Sequence, residues 1–228
     1  MDGMNTKKIA GIAGVLVVVL AVVITGVREK QESVIVDTNI SENASSTNPG
    51  RGEGVEVVDL SDTPVEIVRE LPKPVPGVAV PATYPEFISP AIRTEVAKRF
   101  ESLTILLNAD PSLFNEWVEL GLLRKFIEDY AGAREAWEYA SKLAPKNSIS
   151  FLNLGTLYGY YLQDPLAAER NFLTSIQNDK TDPGAYIKTA DFYLEVMKDK
   201  SRARAIIDRG LNANPASPEL VSYKEYIK

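Results

Sequence analysis

The sequence predicts an all-α fold: a solenoid of antiparallel helix pairs, preceded by one apolar N-terminal helix and an acidic linker. Three observations carry that prediction. A pattern beginning at Phe114 recurs at Ser148, Pro183 and Pro218, at offsets of 34, 35 and 35 residues. A period of that size marks stacked helix pairs. Within each period, small and large residues alternate at helical spacing. At the other end, Ile9 to Val27 is a run of 19 residues without a charge.

In the first unit, Trp117, Leu120 and Gly121 are followed by Ala133, Trp137, Ala140 and Pro145. In the second, Phe151, Leu154, Gly155 and Tyr158 are followed by Ala168, Phe172, Ser175 and Ile176. In the third, Tyr186, Thr189, Ala190 and Tyr193 are followed by Ala203, Ile207, Gly210 and Pro215. Residues at i, i+3 and i+4 share one helical face. The large residue fills the space between paired helices, and the small one lets the partner approach. The closing proline discourages the second helix from running on. One pair cannot bury its apolar face alone; stacked pairs can.

These residues resemble the tetratricopeptide repeat, W-x2-L-G-x2-Y…A-x3-F…A…P, over about three repeats in residues 114–217. The resemblance implies a right-handed superhelical solenoid that binds other proteins. The chain departs from the pattern at named places. Arg124 replaces Tyr in the first unit, Lys180 replaces the closing Pro of the second, and Thr189 and Ala190 replace Leu and Gly in the third. The second and third units carry one extra residue in the turn within the pair, near Gln163 and Lys198.

Helix punctuation gives the register. Asp164-Pro165, Asp182-Pro183 and Ser217-Pro218 each read as an N-cap followed by proline at the first helical position. Asp129 and Asn147 can cap two further starts. The expected helices span 90–108, 112–126, 130–143, 148–161, 165–178, 183–196, 200–213 and 218–227. The first precedes the repeats, with Pro111 where a repeat-ending proline would fall, so it reads as the second helix of a degenerate half-repeat. The last offers Leu220, Val221, Tyr223 and Ile227 for packing and covers the open end.

Residues 1–30 read as an N-terminal tail and membrane anchor, with a span at 9–27. Nineteen helical residues approach the hydrocarbon thickness of a bilayer. A cleaved signal peptide is the competing reading, but its apolar core is shorter, about 7–15 residues. Lys7 and Lys8 precede the run, and Arg28 and Lys30 follow it. The positive-inside count is therefore two against two, and the free amino group tips it toward a cytoplasmic N-terminus. The expectation is a single-pass membrane protein whose repeat domain lies outside the cytoplasm. Residues 31–89 form a linker with ten acidic side chains against three basic ones. Low hydrophobicity with one-signed charge does not repay ordering entropy, while its Pro-rich part should be extended and stiffer. Residues 90–228 are the repeat domain.

Composition narrows the chemistry. The net charge is −6, with no histidine and no cysteine. From Ala91 onward the balance is −1, which argues against nucleic acid as a partner. Without His and Cys there is no Ser-His or Cys-His nucleophile pair and no ordinary zinc site. The carboxylate pairs Glu116/Glu119 and Glu135/Glu138 read as a solvated helix face, so no catalytic residue, metal or cofactor is assigned. A carboxylate hydrolase or enzyme accessory domain is a remote alternative.

In tetratricopeptide domains the first helices of the pairs line a concave face that takes a peptide or partner helix. Carried onto this chain, the resemblance places Val118, Leu122 and Phe126 on that face from the first unit. Leu152, Asn153, Thr156 and Tyr160 come from the second, and Ile187, Lys188 and Asp191 from the third. One family mode clamps a C-terminal carboxylate. Asn153 and Lys188 fall near two of its positions, but Val118 and Leu122 stand where Lys and Asn are expected. The resemblance therefore points to an apolar helix or extended hydrophobic segment of a protein partner. Self-association without a separate ligand is the alternative.

Overall fold

The computed structural model describes residues 70–73 and 75–228. The apolar run at 9–27 and the linker up to residue 69 lie outside the described residues. Among those described, no helix is long and apolar enough to cross a membrane.

Among the described residues eight helices follow one another: α1 (Pro90–Ala109), α2 (Phe114–Phe126), α3 (Tyr130–Leu143), α4 (Ile149–Tyr160), α5 (Pro165–Asn178), α6 (Pro183–Glu195), α7 (Lys200–Ala213) and α8 (Pro218–Tyr226). Helix α2 packs on α3, α4 on α5, and α6 on α7; α3 then meets α4, and α5 meets α6. Helix α1 covers α2 at one end, and α8 covers α6 and α7 at the other. This is an all-α solenoid of paired antiparallel helices, consistent with a tetratricopeptide-like fold.

The starts and turns explain why the chain breaks where it does. Asp129, Asp164 and Asp199 each accept from the backbone N–H three residues on, at 2.9, 2.9 and 3.0 Å, satisfying an orphan donor of the helix start. The residue before each has a left-handed backbone: Glu128, Gln163 and Lys198, at φ 64°, 55° and 55°. The extra residue of the second and third units is absorbed just upstream. The Asp129 N–H bonds to Arg124 O at 2.8 Å, but the Asp164 and Asp199 N–H groups reach one residue further back, to Tyr158 O at 2.9 Å and Tyr193 O at 2.8 Å. A wider hydrogen-bonded loop thus replaces the tighter one. Asn147 accepts from Ile149 N at 2.9 Å, so it acts one residue ahead of Ser148, the N-cap of α4.

Packing within pairs follows the small/large alternation. An added Cβ on Gly121 would lie 2.2 Å from Trp137 Nε1, and one on Gly155 would lie 2.7 Å from Phe172. These glycines are required by close approach, since only a missing Cβ admits the aromatic plug. In the third pair the plug is smaller, Ile207, and the equivalent small residue is Ala190; both are fully buried. Trp117, Leu120, Ala133, Ala140, Leu154, Ala168, Tyr186, Tyr193 and Ala203 are buried as well, while Phe151 and Tyr158 are half-buried and Pro145 and Pro215 are exposed just past their helices.

Hydrogen bonds staple each pair to the next. Tyr158 OH donates to Glu138 at 2.6 Å, and Tyr193 OH to Glu169 at 2.8 Å. Trp117 Nε1 donates to Pro111 O at 2.9 Å, and Tyr186 OH to Lys180 O at 3.2 Å. Pro111 and Lys180 occupy the same register position, so α1 does end as a second helix of a pair ends. At α8, Leu220 and Ile227 are buried, but Val221 is 49% exposed. The expected packing role for Val221 is corrected, since about half of its surface stays open to solvent.

The described part of the Pro-rich stretch before α1 forms no helix or strand. It is also fastened to the helices. Arg124 Nη2 donates to Gly77 O at 3.0 Å. Arg93 Nε donates to Ile88 O at 2.7 Å and its Nη2 to Pro85 O at 3.3 Å. Ile88, placed in the linker by composition, is 2% exposed. Arg124 stands where the other two units have Tyr158 and Tyr193, and it turns toward this strap instead. Gly132 leaves room for it: a Cβ there would lie 2.5 Å from Arg124 Nη1.

Candidate peptide-binding face

The first helices of the pairs present one face, and α4, α6 and α8 lie side by side on it. Four of the residues expected there, Thr156, Tyr160, Lys188 and Asp191, line one cleft of about 270 Å³ together with Tyr161 and Phe172. Their spacing accounts for this: one turn separates Thr156 from Tyr160 on α4, and Lys188 and Asp191 are three apart on α6, so each pair shares a helical side. Buried Phe172 forms the floor, its ring centroid 5.3 Å from that of Phe192.

The other expected residues sit differently. Val118 is 4% exposed, so its side chain belongs to the packing and offers little surface. Its carbonyl accepts from Trp137 Nε1 at 2.9 Å. Leu122 packs against the cluster of Ala133, Trp137, Leu154 and Leu157. Leu152 and Ile187 pack against the larger cluster around Phe172, Phe192 and Ile207. Phe126 and Asn153 are half-buried.

Five groups that the sequence reading did not place here extend the face. The Glu195 carboxylate lies near the Tyr160 phenol. The Tyr223 hydroxyl donates to Asp191 Oδ1. The Tyr226 ring stands 5.8 Å from the Tyr223 ring and is 80% exposed. Lys125 holds its ammonium 5.0 Å from the Tyr161 ring centroid, a cation–π distance. Two of these groups were within reach of the period: 35 residues beyond Lys188 and Asp191 stand Tyr223 and Tyr226.

The electrostatics follow from burial and from these carboxylates. The Tyr160 phenol is pushed well above its ordinary value, first by burial and then by Glu195 and Asp191. The same causes, burial first and then Asp191, raise Tyr223. Burial lowers Lys125, because desolvation disfavours the charged form.

Three of the four carboxylates considered for chemistry are engaged elsewhere. Glu119 pairs with Arg99, Glu138 accepts from Tyr158, and Glu135 lies 3.9 Å from Arg124. Among the described residues no group of three or more metal-ligating side chains is gathered. The face offers aromatic rings, hydrogen-bonding groups and mixed charge, which are means of holding a polypeptide. The helical solenoid shape is consistent with a protein–protein interaction scaffold.

No protein-family model matches the chain, and no curated protein matches it.

Proposed function

We propose that this chain is a membrane-tethered scaffold that binds a partner peptide or helix across the first-helix face of its tetratricopeptide-like domain. The observation that carries the reading is the cleft between α4 and α6, where Thr156, Tyr160, Lys188 and Asp191 meet. Clefts with a few convergent polar groups are usual seats of ligands. The three pairs read as three repeats, and the apolar run at 9–27 reads as a single-pass anchor with the repeats outside the cytoplasm. Envelope or secretion-complex assembly is a fitting setting for such a tether.

A photo-crosslinking residue placed at Thr156 in cells, with one at exposed Leu166 on the second helix α5 as control, tests the binding face. Adducts from position 156 and none from 166 are expected; the reverse pattern overturns the reading. Protease protection in intact and permeabilised cells tests topology. Digestion of the repeats from outside agrees with it, and protection until the inner membrane is opened reverses it.

A further inference from the structure

The α4–α6–α8 end of this face gathers several acceptors, with Lys188 as an exposed donor on its rim. The Tyr223 phenol already donates to Asp191, and the Tyr160 phenol stands near the Glu195 carboxylate. A phenol that donates its proton keeps its lone pairs, and an ionised carboxylate accepts several bonds. The end therefore presents two carboxylates and two phenol oxygens that can still accept. Around them stand aromatic rings, with Tyr226 almost fully open to solvent and Tyr160 and Tyr161 partly so. The elevated phenols of Tyr160 and Tyr223 agree with a negative local potential to which Asp191 and Glu195 both contribute.

Two lysines border the same region. Lys188 is exposed on the rim, where water screens it. Lys125 is already engaged with the Tyr161 ring. Neither forms an ion pair with Asp191 or Glu195 among the salt bridges of the described residues.

We propose that this end of the face receives a basic side chain of the partner polypeptide, and an arginine in preference to a lysine. A guanidinium has five donors and no acceptor, stacks flat on aromatic rings, and bonds carboxylates with two parallel donors. An ammonium matches the charge but not the ring faces. The inference rests on the partner-binding reading above and adds the chemistry of the residue recognised.

The test uses the full chain with tyrosine rings isotopically labelled. The probe is N-acetyl-arginine methylamide, compared with the norleucine and glutamate analogues. Arginine should shift the rings of Tyr160, Tyr223 and Tyr226 saturably, and the other two should leave them unmoved. Glu195→Gln, at an exposed position, should weaken the arginine probe several-fold, and Asp191→Asn with Glu195→Gln should weaken it about tenfold or more. Tyr226→Ala should cost about two- to fivefold. Shifts from the glutamate probe alone would assign the end to the lysines; the basic class would fall while the binding face stood. No shift with any probe, or no loss in the double variant, also overturns the proposal. The crosslinking result at Thr156 then decides separately whether a partner binds there.

Discussion

Gly121→Ala is the sharpest test of how the pairs are packed. The new Cβ would sit 2.2 Å from Trp137 Nε1 and 2.5 Å from two further ring atoms. Ordinary carbon contacts are about 3.5–4.0 Å, so the indole must retreat by roughly 1.5 Å. It has little freedom to do so, being 1% exposed and donating to Val118 O at 2.9 Å. Overpacking of a filled core costs about 1–3 kcal/mol, and a strained or lost hydrogen bond adds about 1 kcal/mol. The gain from replacing glycine by alanine in a helix offsets about 1 kcal/mol. The expected net loss is about 1–3 kcal/mol. Urea unfolding followed by tryptophan fluorescence is the assay, since both tryptophans of the chain, Trp117 and Trp137, lie in this pair. Gly77→Ala is the control, because nothing lies within 4 Å of its added Cβ, and it should be close to neutral. Gly159→Ala, at 3.0 Å from Phe192, should fall between the two. Gly155→Ala should be rescued in part by Phe172→Ile, which recreates the Ala190 and Ile207 pairing of the third unit. A Gly121→Ala chain as stable as the parent, with unshifted emission, would refute the close-packing argument.

Other outcomes follow from the turns, caps and staples. Gln163→Gly should stabilise by up to about 1 kcal/mol in thermal or urea unfolding, because relief of a left-handed backbone outweighs the added freedom of the unfolded chain. Asp164→Ala should cost about 0.5–2 kcal/mol through the lost cap at Ala167 N, read by the same unfolding curves. Arg124→Ala should speed limited proteolysis within residues 75–85 while leaving cleavage near the Gln163 turn unchanged, since the Gly77 contact goes with the guanidinium. Alkaline pH gives a further test. Burial, followed by the bonds to Glu138 and Glu169, pushes the Tyr158 and Tyr193 phenols up to about 12 from 10.0. A folded-state value raised above the unfolded one means a contribution that is whole below pH 10 and lost as pH rises toward 12. Thermal midpoints should therefore fall across that window, and less steeply in the Tyr158→Phe variant.

The helices were legible because three independent signals agreed on the register: the period, the alternation of Gly121 with Trp137 and Gly155 with Phe172, and the Asp-Pro starts. Their ends shifted by at most two residues from expectation, since capping residues and prolines act locally. The strap was half legible. Proline content argues against helix, but its fastening depends on Arg124, whose departure from the family pattern showed only that a tyrosine was missing. What the guanidinium bonds to instead is a contact across 47 residues, beyond any local pattern. On the candidate face, Thr156, Tyr160, Lys188 and Asp191, placed there by the family resemblance, line one cleft. Val118 did not reach the open surface, because periodicity assigns a side of a helix but not how far the neighbouring helix covers it. Tyr223 was read only as a packing residue and Tyr226 was not singled out, because the reading of the face stopped at the third unit, one step short of α8.

The staples between pairs also bear on how the chain assembles. They join residues 6 to 33 positions apart, as between Trp117 and Pro111, Tyr158 and Glu138, Tyr193 and Glu169, and Asn178 and Pro145. Closing such short loops carries little entropic penalty, so contact order is low and folding is fast. The widest closure, from Gly77 to Arg124, lies at the N-terminal end and is available before α4 has been synthesised. Translation then delivers the pairs in the order in which they stack, each new one finding a finished surface to dock on.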